Sequence, residues 1–233
     1  MLYLIGTGLG SEKDLTERAK DVLNRCSDIY IEEYTNQFLG DLGGLADNIK
    51  KLSREQVESD FLVNTAKDAD IALLIVGDPL SATTHMQILK DCKDSGVDYE
   101  VIHNTSIITA VAIAGLSLYK YGRITTLCFP EKGWDPEMPY EIIEGNQKAG
   151  LHTLVLLDTR NGDEYMTCEQ AHEMLLEKKA VKNTDKLIFC YALGSKHQKV
   201  EYSTKPTGGN TPCCILVPGK VDEKEQEFLE MWK

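Results

Sequence analysis

The sequence predicts an α/β protein made of two tandem αβ domains, the first on a mostly parallel sheet and the second on a mixed one. Three observations carry this. Short apolar runs alternate with longer amphipathic stretches along nearly the whole chain. In the first half they follow a βαβα order, which argues for a doubly wound parallel sheet. In the second half strands succeed one another without an intervening helix, which calls for hairpins and antiparallel pairing. A chain of 233 residues suffices for one large domain or two small ones. The join is expected where an apolar helix gives way to Tyr119-Lys120-Tyr121-Gly122-Arg123, giving domains at 1–115 and 116–233.

Taken in order, residues 2–5 read as a strand and 14–25 as a helix with Ser11 as its cap. Residues 28–31 read as a strand, and the acidic-basic stretch 44–67 as mostly helical. Residues 71–76 are six consecutive apolar positions between Asp70 and Gly77, the pattern of a strand buried on both faces. A helix over 81–95, a strand over 99–102 and an apolar, small-residue helix over 106–118 complete the first half. The second half holds strands at 124–129, 153–157, 187–193, 199–204 and 213–217, with helices near 140–149, 168–179 and 222–232.

Composition narrows the function. Lys and Arg number 25 against 37 Asp and Glu, a net charge of −12, and 42% hydrophobic residues exclude wholesale disorder. An acidic chain repels phosphate backbones, so no nucleic-acid partner is expected; Lys50-Lys51 and Lys178-Lys179 read as solvated helix faces. The first residues are too short an apolar run for a signal segment, and no run reaches the roughly 18–20 residues of a membrane span. Seven scattered cysteines (Cys26, Cys92, Cys128, Cys168, Cys190, Cys213, Cys214) without a C-x-x-C pair point to reduced thiols, a cytoplasmic location and no metal site.

Three segments at strand ends carry chemistry. Gly6-Thr7-Gly8-Leu9-Gly10-Ser11 allows close backbone approach to a ligand. A dinucleotide reading, with Glu32 or Glu33 on a ribose, lacks the third glycine of G-x-G-x-x-G, and a tight strand-to-helix turn is the plain alternative. Gly77-Asp78-Pro79-Leu80-Ser81-Ala82-Thr83-Thr84-His85 follows the most buried strand, and Pro79 pushes Asp78 into an extended conformation that aims its carboxylate outward, towards an ammonium or hydroxyl. The alternative is an Asp-Pro turn with a helix cap. His103-Asn104-Thr105-Ser106-Ile107 ends a third strand, where Ser106 either caps a helix or offers its N–H and hydroxyl to a ligand. In one parallel sheet these loops converge on a single crevice.

Together with Glu32-Glu33-Tyr34-Thr35 and Leu151-His152-Thr153-Leu154-x-Leu156-Leu157-Asp158, these segments resemble the diphthine synthases, methyltransferases of diphthamide biosynthesis in the tetrapyrrole-methylase fold group. The resemblance runs in order from the first strand to Val217-Pro218-Gly219. It implies two αβ domains, a cleft between them holding S-adenosylmethionine, S-adenosylhomocysteine as product, and a homodimer. Cofactor contacts are then expected at Leu9, Asp78, Ser81, Ser106, Ile107 and Leu157, with Ala192, Leu193 and Cys213 added from the second domain. Ser81 is expected to act through its backbone. Pro212-Cys213-Cys214-Ile215 departs from the Pro-His-Ser-Leu-like strand common in the family.

The implied acceptor is a histidine of elongation factor 2 that bears a 3-amino-3-carboxypropyl arm. Methyl transfer from a sulfonium expels a neutral thioether, so positioning and desolvation suffice, with no general acid, dedicated nucleophile or metal. His85, His103 and His152 are candidates for proton removal by residue type, and none is assigned a catalytic role. Met174 with Tyr3, Tyr30 and Tyr34 forms a candidate cation-binding set, against which strand packing competes for Tyr3 and Tyr30. The rival functions are a tetrapyrrole methyltransferase of the same fold group, a nicotinamide oxidoreductase and a non-catalytic adaptor of translation.

Overall fold

Continuous apolar runs become the inner strands of two sheets in the computed structural model, which describes residues 1–32, 37–160 and 163–233. The chain divides into two units, Met1–Ile108 and Thr109–Lys233. This division falls a few residues before the join expected at 115/116.

In the first unit, β1 (Leu2–Gly6), β2 (Asp28–Glu32), β3 (Lys50–Leu52), β4 (Ile71–Ile75) and β5 (Tyr99–Ile102) form a parallel sheet in the order β3-β2-β4-β1-β5. Helices α1 (Glu17–Leu23), α2 (Arg54–Val57), α3 (Phe61–Ala66) and α4 (Met86–Asp94) connect the strands. Leu4, Leu73 and Ile75 pack into one core with Leu62 and Ile88, while Tyr3, Ile5 and Leu74 pack into another with Ala19 and Val22. Both faces of β1 and β4 are therefore covered, which is why neither alternates apolar with polar residues.

The chain passes along α5 (Ile107–Ala110) into the second unit. There β6 (Thr125–Leu127), α6 (Met138–Lys148), β7 (Thr153–Leu157), the small ribbon β8 (Thr159–Arg160) and β9 (Glu164–Tyr165), α7 (Cys168–Glu177), β10 (Leu187–Tyr191), β11 (Lys199–Ser203), β12 (Cys213–Val217) and α8 (Glu223–Leu229) follow in turn. The sheet order is β11-β10-β12-β7-β6, antiparallel except for the parallel pair β6–β7.

Four local expectations are corrected. Stretch 44–67 contains β3: Lys50 and Lys51 lie on an edge strand, not on a helix, and Lys50 pairs with Asp28 while Leu52 is buried beneath. A solvent-facing edge tolerates lysines and is protected by them. The helix expected from residue 81 begins only at Met86, because Ala82 has φ +60° and Thr83 Oγ1 donates to the Pro79 carbonyl, closing a turn first. The helix over 106–118 is broken into α5 and the 3₁₀ turn Val111–Ala114, which ends on Gly115 at φ +91°. A Cβ on Gly115 would lie 2.4 Å from Phe228 Cβ, so the close packing there depends on glycine. Ser11 does cap, but it caps the 3₁₀ turn Glu12–Asp14, and Thr16 caps α1. All seven cysteines are free thiols, and among the described residues no helix is long and apolar enough to cross a membrane.

Candidate active site

Strands β4, β1 and β5 are adjacent and parallel, so the three loops singled out above leave the same edge of the sheet side by side. They are bonded to one another. Gly8 N donates to Gly77 O at 3.1 Å and Gly77 N to Gly8 O at 2.9 Å, with both glycines at positive φ (+74° and +83°). A Cβ on Gly6 would stand 2.5 Å from the Gly77 carbonyl, so this approach of two backbones requires glycine at position 6. The Asn104 amide donates to the carbonyls of Gly6 and Asp14, both at 3.0 Å. Asp14 in turn accepts from Gly10 N at 2.8 Å and Ser11 N at 3.2 Å.

Asp78 is the hub. The outward-aimed carboxylate expected from the sequence is corrected: Asp78 is 5% exposed and turned inward. Its Oδ1 accepts from Leu80 N and Ser81 Oγ, both at 3.0 Å, and its Oδ2 from His103 Nδ1 at 2.7 Å and Asn104 N at 3.2 Å. Those four donors fill the roughly four lone-pair positions of a carboxylate. Burial opposes ionisation, but the Leu80 N–H, His103, Ser81 and Asn104 N–H bonds outweigh it and hold the carboxyl below its usual range. The hydroxyl of Ser81 is thus spent on Asp78.

His85 closes the same loop from below. It is 3% exposed; its Nδ1 meets the Pro79 carbonyl at 3.1 Å and its Nε2 meets Glu32 Oε2 at 2.8 Å. A carbonyl only accepts, so Nδ1 carries a proton, and a second proton must lie between Nε2 and the carboxyl. Burial pushes the imidazole pKa down, yet the hydrogen bond and charge of Glu32 outweigh burial and raise it. The ring therefore keeps its second proton to a higher pH than a free imidazole does. This arrangement removes Glu32 from any ribose-binding role, and with it the main support for a dinucleotide site; Glu33, Tyr34 and Thr35 lie outside the described residues.

The loops bring apolar and polar groups together around an open glycine. Gly77 leaves a cradle whose nearest walls are Leu9 Cδ2 and the Thr105 carbonyl, 3.5 and 3.8 Å from where a Cβ would stand. Leu9 and Ile107 are half-buried in the two neighbouring loops, and Ser106 is buried with its hydroxyl accepting from Ile108 N at 3.2 Å, the capping role. In the second unit, half-buried Leu157 and Cys213 lie at adjoining ends of β7 and β12. Ala192 and Leu193 form a buried turn after β10, held by Ala192 N donating to Pro212 O at 2.8 Å, with Ala192 at φ +44°. A left-handed alanine is strained, and such strain collects where a backbone has been shaped for a task. The Cys213 thiol is engaged by the Met166 carbonyl at 3.5 Å.

Among the described residues Tyr3 and Tyr30 do not form the expected cation-binding set, and Tyr34 lies outside those residues. Tyr3 and Tyr30 pack in separate cores on either side of the first sheet, Tyr30 edge-to-face on Phe61, and Met174 lines the core of the second unit. His152 is fully buried in the second unit, with Nδ1 accepting from Gly219 N at 2.9 Å and Nε2 donating to Glu225 Oε1 at 3.1 Å. Sequence reasoning missed the bridging role of Asn104 and the Asp78–His103 pair; the H-N dipeptide at a strand end was their only local signal.

The tetrapyrrole (corrin/porphyrin) methylase family model matches residues 1–206. The chain is 36% identical to the diphthine synthase of Methanocaldococcus jannaschii, over 99% of this chain and 98% of that protein. It is 32% identical to the diphthine methyl ester synthase of Bos taurus, over 100% and 95% of the two chains. A crystal structure of a diphthine synthase superposes with a TM-score of 0.91 at 27% identity, covering 100% of this chain and 96% of that one. A crystal structure from Entamoeba histolytica gives the same TM-score at 33% identity, covering 100% and 98%. The chain therefore belongs to the tetrapyrrole (corrin/porphyrin) methylase family, and within it to the diphthine synthases, methyltransferases of diphthamide biosynthesis.

Proposed function

We propose that this methyltransferase takes its methyl groups from S-adenosylmethionine and places them on the 3-amino-3-carboxypropyl arm of the modified histidine of elongation factor 2. One observation supports this best: three loops at the carboxyl ends of adjacent parallel strands, locked on one carboxylate, with an uncovered glycine between Leu9 and the Thr105 carbonyl. Open α/β sheets bind ligands at such an edge. In this reading Leu9, Asp78, Ser81, Ser106 and Ile107 make the donor site of the first unit, Asp78 by fixing the loops and Ser81 through its backbone. Leu157, Ala192, Leu193 and Cys213, all residues of the second unit, enter this reading on the family resemblance alone. The cytoplasmic location follows from the substrate, and a homodimer rests on the family alone.

The test is calorimetry with S-adenosylhomocysteine, followed by mass spectrometry of elongation factor 2 after incubation with enzyme and S-adenosylmethionine. Binding and a mass gain in methyl steps on the modified histidine are expected. Asp78→Ala, checked for folding by circular dichroism, weakens binding at least tenfold. Wild-type enzyme that leaves the factor unmodified, or an Asp78→Ala variant that binds as tightly as wild type, overturns the assignment at its two levels.

A further inference from the structure

We propose that His103 is the general base of the methyl transfer, removing a proton from the acceptor amine through Nε2 while Asp78 fixes its ring. This rests on the function proposed above, in which the acceptor is an ammonium group that has no lone pair until it loses a proton. The fold decides which histidine can serve. His85 and His152 are buried and spend both ring nitrogens on fixed partners. His172 is 4% exposed, packed edge-on against Phe189. Exposed His197 lies on the turn after β10, with no carboxylate bonded to its ring among the described residues.

His103 alone joins a fixed carboxylate to an open ring. Its Nδ1 lies 2.7 Å from Asp78 Oδ2, and its side chain is 66% exposed. An ionised carboxylate only accepts, so Nδ1 carries a hydrogen, and in the neutral form of the ring the lone pair lies on Nε2. Asp78 cannot swing away, because Leu80 N, Ser81 Oγ and Asn104 N hold it from three other directions. This is the orienting relation between carboxylate and imidazole that prepares a base in nucleophilic and acid–base sites. Two other carboxylates on these elements are engaged elsewhere: Asp14 with Gly10 and Ser11 N–H, and Glu100 with Arg18 at 2.7 Å.

When bound, the donor supplies an electrophilic sulfonium methyl and departs as a neutral thioether. The amine proton passes to Nε2, freeing the nitrogen lone pair. The N–C bond then forms as the S–C bond breaks, and sulfur keeps the electron pair of the broken bond. The imidazolium returns its proton to water through its exposed face, one proton for each methyl placed on nitrogen. Methylation of the neighbouring carboxylate requires no such proton and does not need His103.

The experiment uses full-length enzyme, with His103→Asn and His103→Gln, in single-turnover transfer to elongation factor 2 bearing the aminocarboxypropyl histidine from pH 6 to 10. S-Adenosylhomocysteine affinity is measured alongside by calorimetry, and rates are compared at saturating donor, so that any loosening of the donor site through Asp78 does not enter the comparison. N-methylation slows by about a hundredfold or more near neutral pH. The deficit shrinks as pH rises towards the amine's own pKa, and added imidazole restores part of the rate. Independently, nitrogen-15 NMR of the wild-type ring shows the Nδ1–H tautomer. Variants that methylate nitrogen at the wild-type rate with the wild-type pH profile overturn the proposal, as does an Nε2–H tautomer. Wild-type enzyme that binds S-adenosylhomocysteine but leaves the factor unmethylated overturns instead the function on which it rests.

Discussion

His85–Glu32 in the first unit and His152–Glu225 in the second are both buried imidazole–carboxyl pairs, at 2.8 and 3.1 Å, and they differ in what stands behind the ring. Behind His85 is a carbonyl, that of Pro79, which can only accept; behind His152 is the Gly219 N–H, which can only donate. The first ring must therefore hold two protons and the second one. The directions of the pKa shifts agree: burial depresses both, the hydrogen bond and charge of Glu32 reverse that for His85, and His152 stays depressed. The backbone atom behind each ring fixes which nitrogen carries a proton, while burial, the carboxyl and, for His152, Lys120 set how readily the second proton binds.

The carboxyls differ as well, and a single substitution made in each exposes it. Glu225 accepts from Ser117 N at 2.9 Å and His152 on Oε1, and from Lys120 and Asp222 N on Oε2. Glu225→Gln would place an amide N–H against the Lys120 ammonium and the Asp222 N–H, donor facing donor. A loss of about 2–4 kcal/mol in denaturant unfolding is expected. A variant within about 0.5 kcal/mol of wild type would show that Glu225 is not the anchor of α8. Burial opposes ionisation of Glu225, but Lys120, the Ser117 and Asp222 N–H groups and His152 prevail and hold its pKa at about 2. A folded value below the unfolded one of about 4.3 gives stability that is complete above that pH and is lost as pH falls towards 2.

Glu32→Gln should be milder. A neutral His85 keeps Nδ1–H on Pro79 O, and its bare Nε2 accepts the new amide N–H, so the isosteric pair remains satisfied without charge. At alkaline pH the cost is expected to be under about 1 kcal/mol. The pH dependence should change sign. In wild type the folded pKa of His85 is raised, so its contribution is complete below about 6.5 and disappears as pH rises through the folded value. The variant folds with a neutral ring and weakens on acidification instead. Its gap from wild type is therefore widest near pH 5–6 and narrows upward; a gap that grows with pH would refute the imidazolium.

The two pairs also mark what a sequence can carry. β4 and β5 were legible because strand patterns are local: a run of buried apolar residues, or a short β-rich segment between turn signals. β3 was hidden, because an edge strand of lysines looks like a solvated helix until its neighbour is known. The three site loops were legible as loops, each following a recognisable strand. The inward turn of Asp78 was not, since it is decided by His103 and Asn104, about 25 residues away in the chain. Nor was the charge of either histidine, for Glu225 reaches His152 across 73 positions and Glu32 reaches His85 across 53. Residue type gives three candidate bases; only the partner of each second nitrogen separates them.

The smallest effect is the most direct reading of the comparison, because it costs no stability at all. Selective nitrogen-15 labelling of histidine reports the protonation of each ring nitrogen. At pH 6.5, the ordinary imidazole value, His85, raised above it, should be mostly protonated on both nitrogens, as the Pro79 carbonyl and the Glu32 carboxyl require, while His152, depressed below it, should be mostly neutral with a bare Nδ1 and a protonated Nε2. His85 should then titrate in Glu32→Gln below its wild-type value, and His152 should be unmoved by that change, since its partners all lie in the second unit. Two identical rings at this pH would mean that their different carboxyl and backbone partners do not separate the two imidazoles.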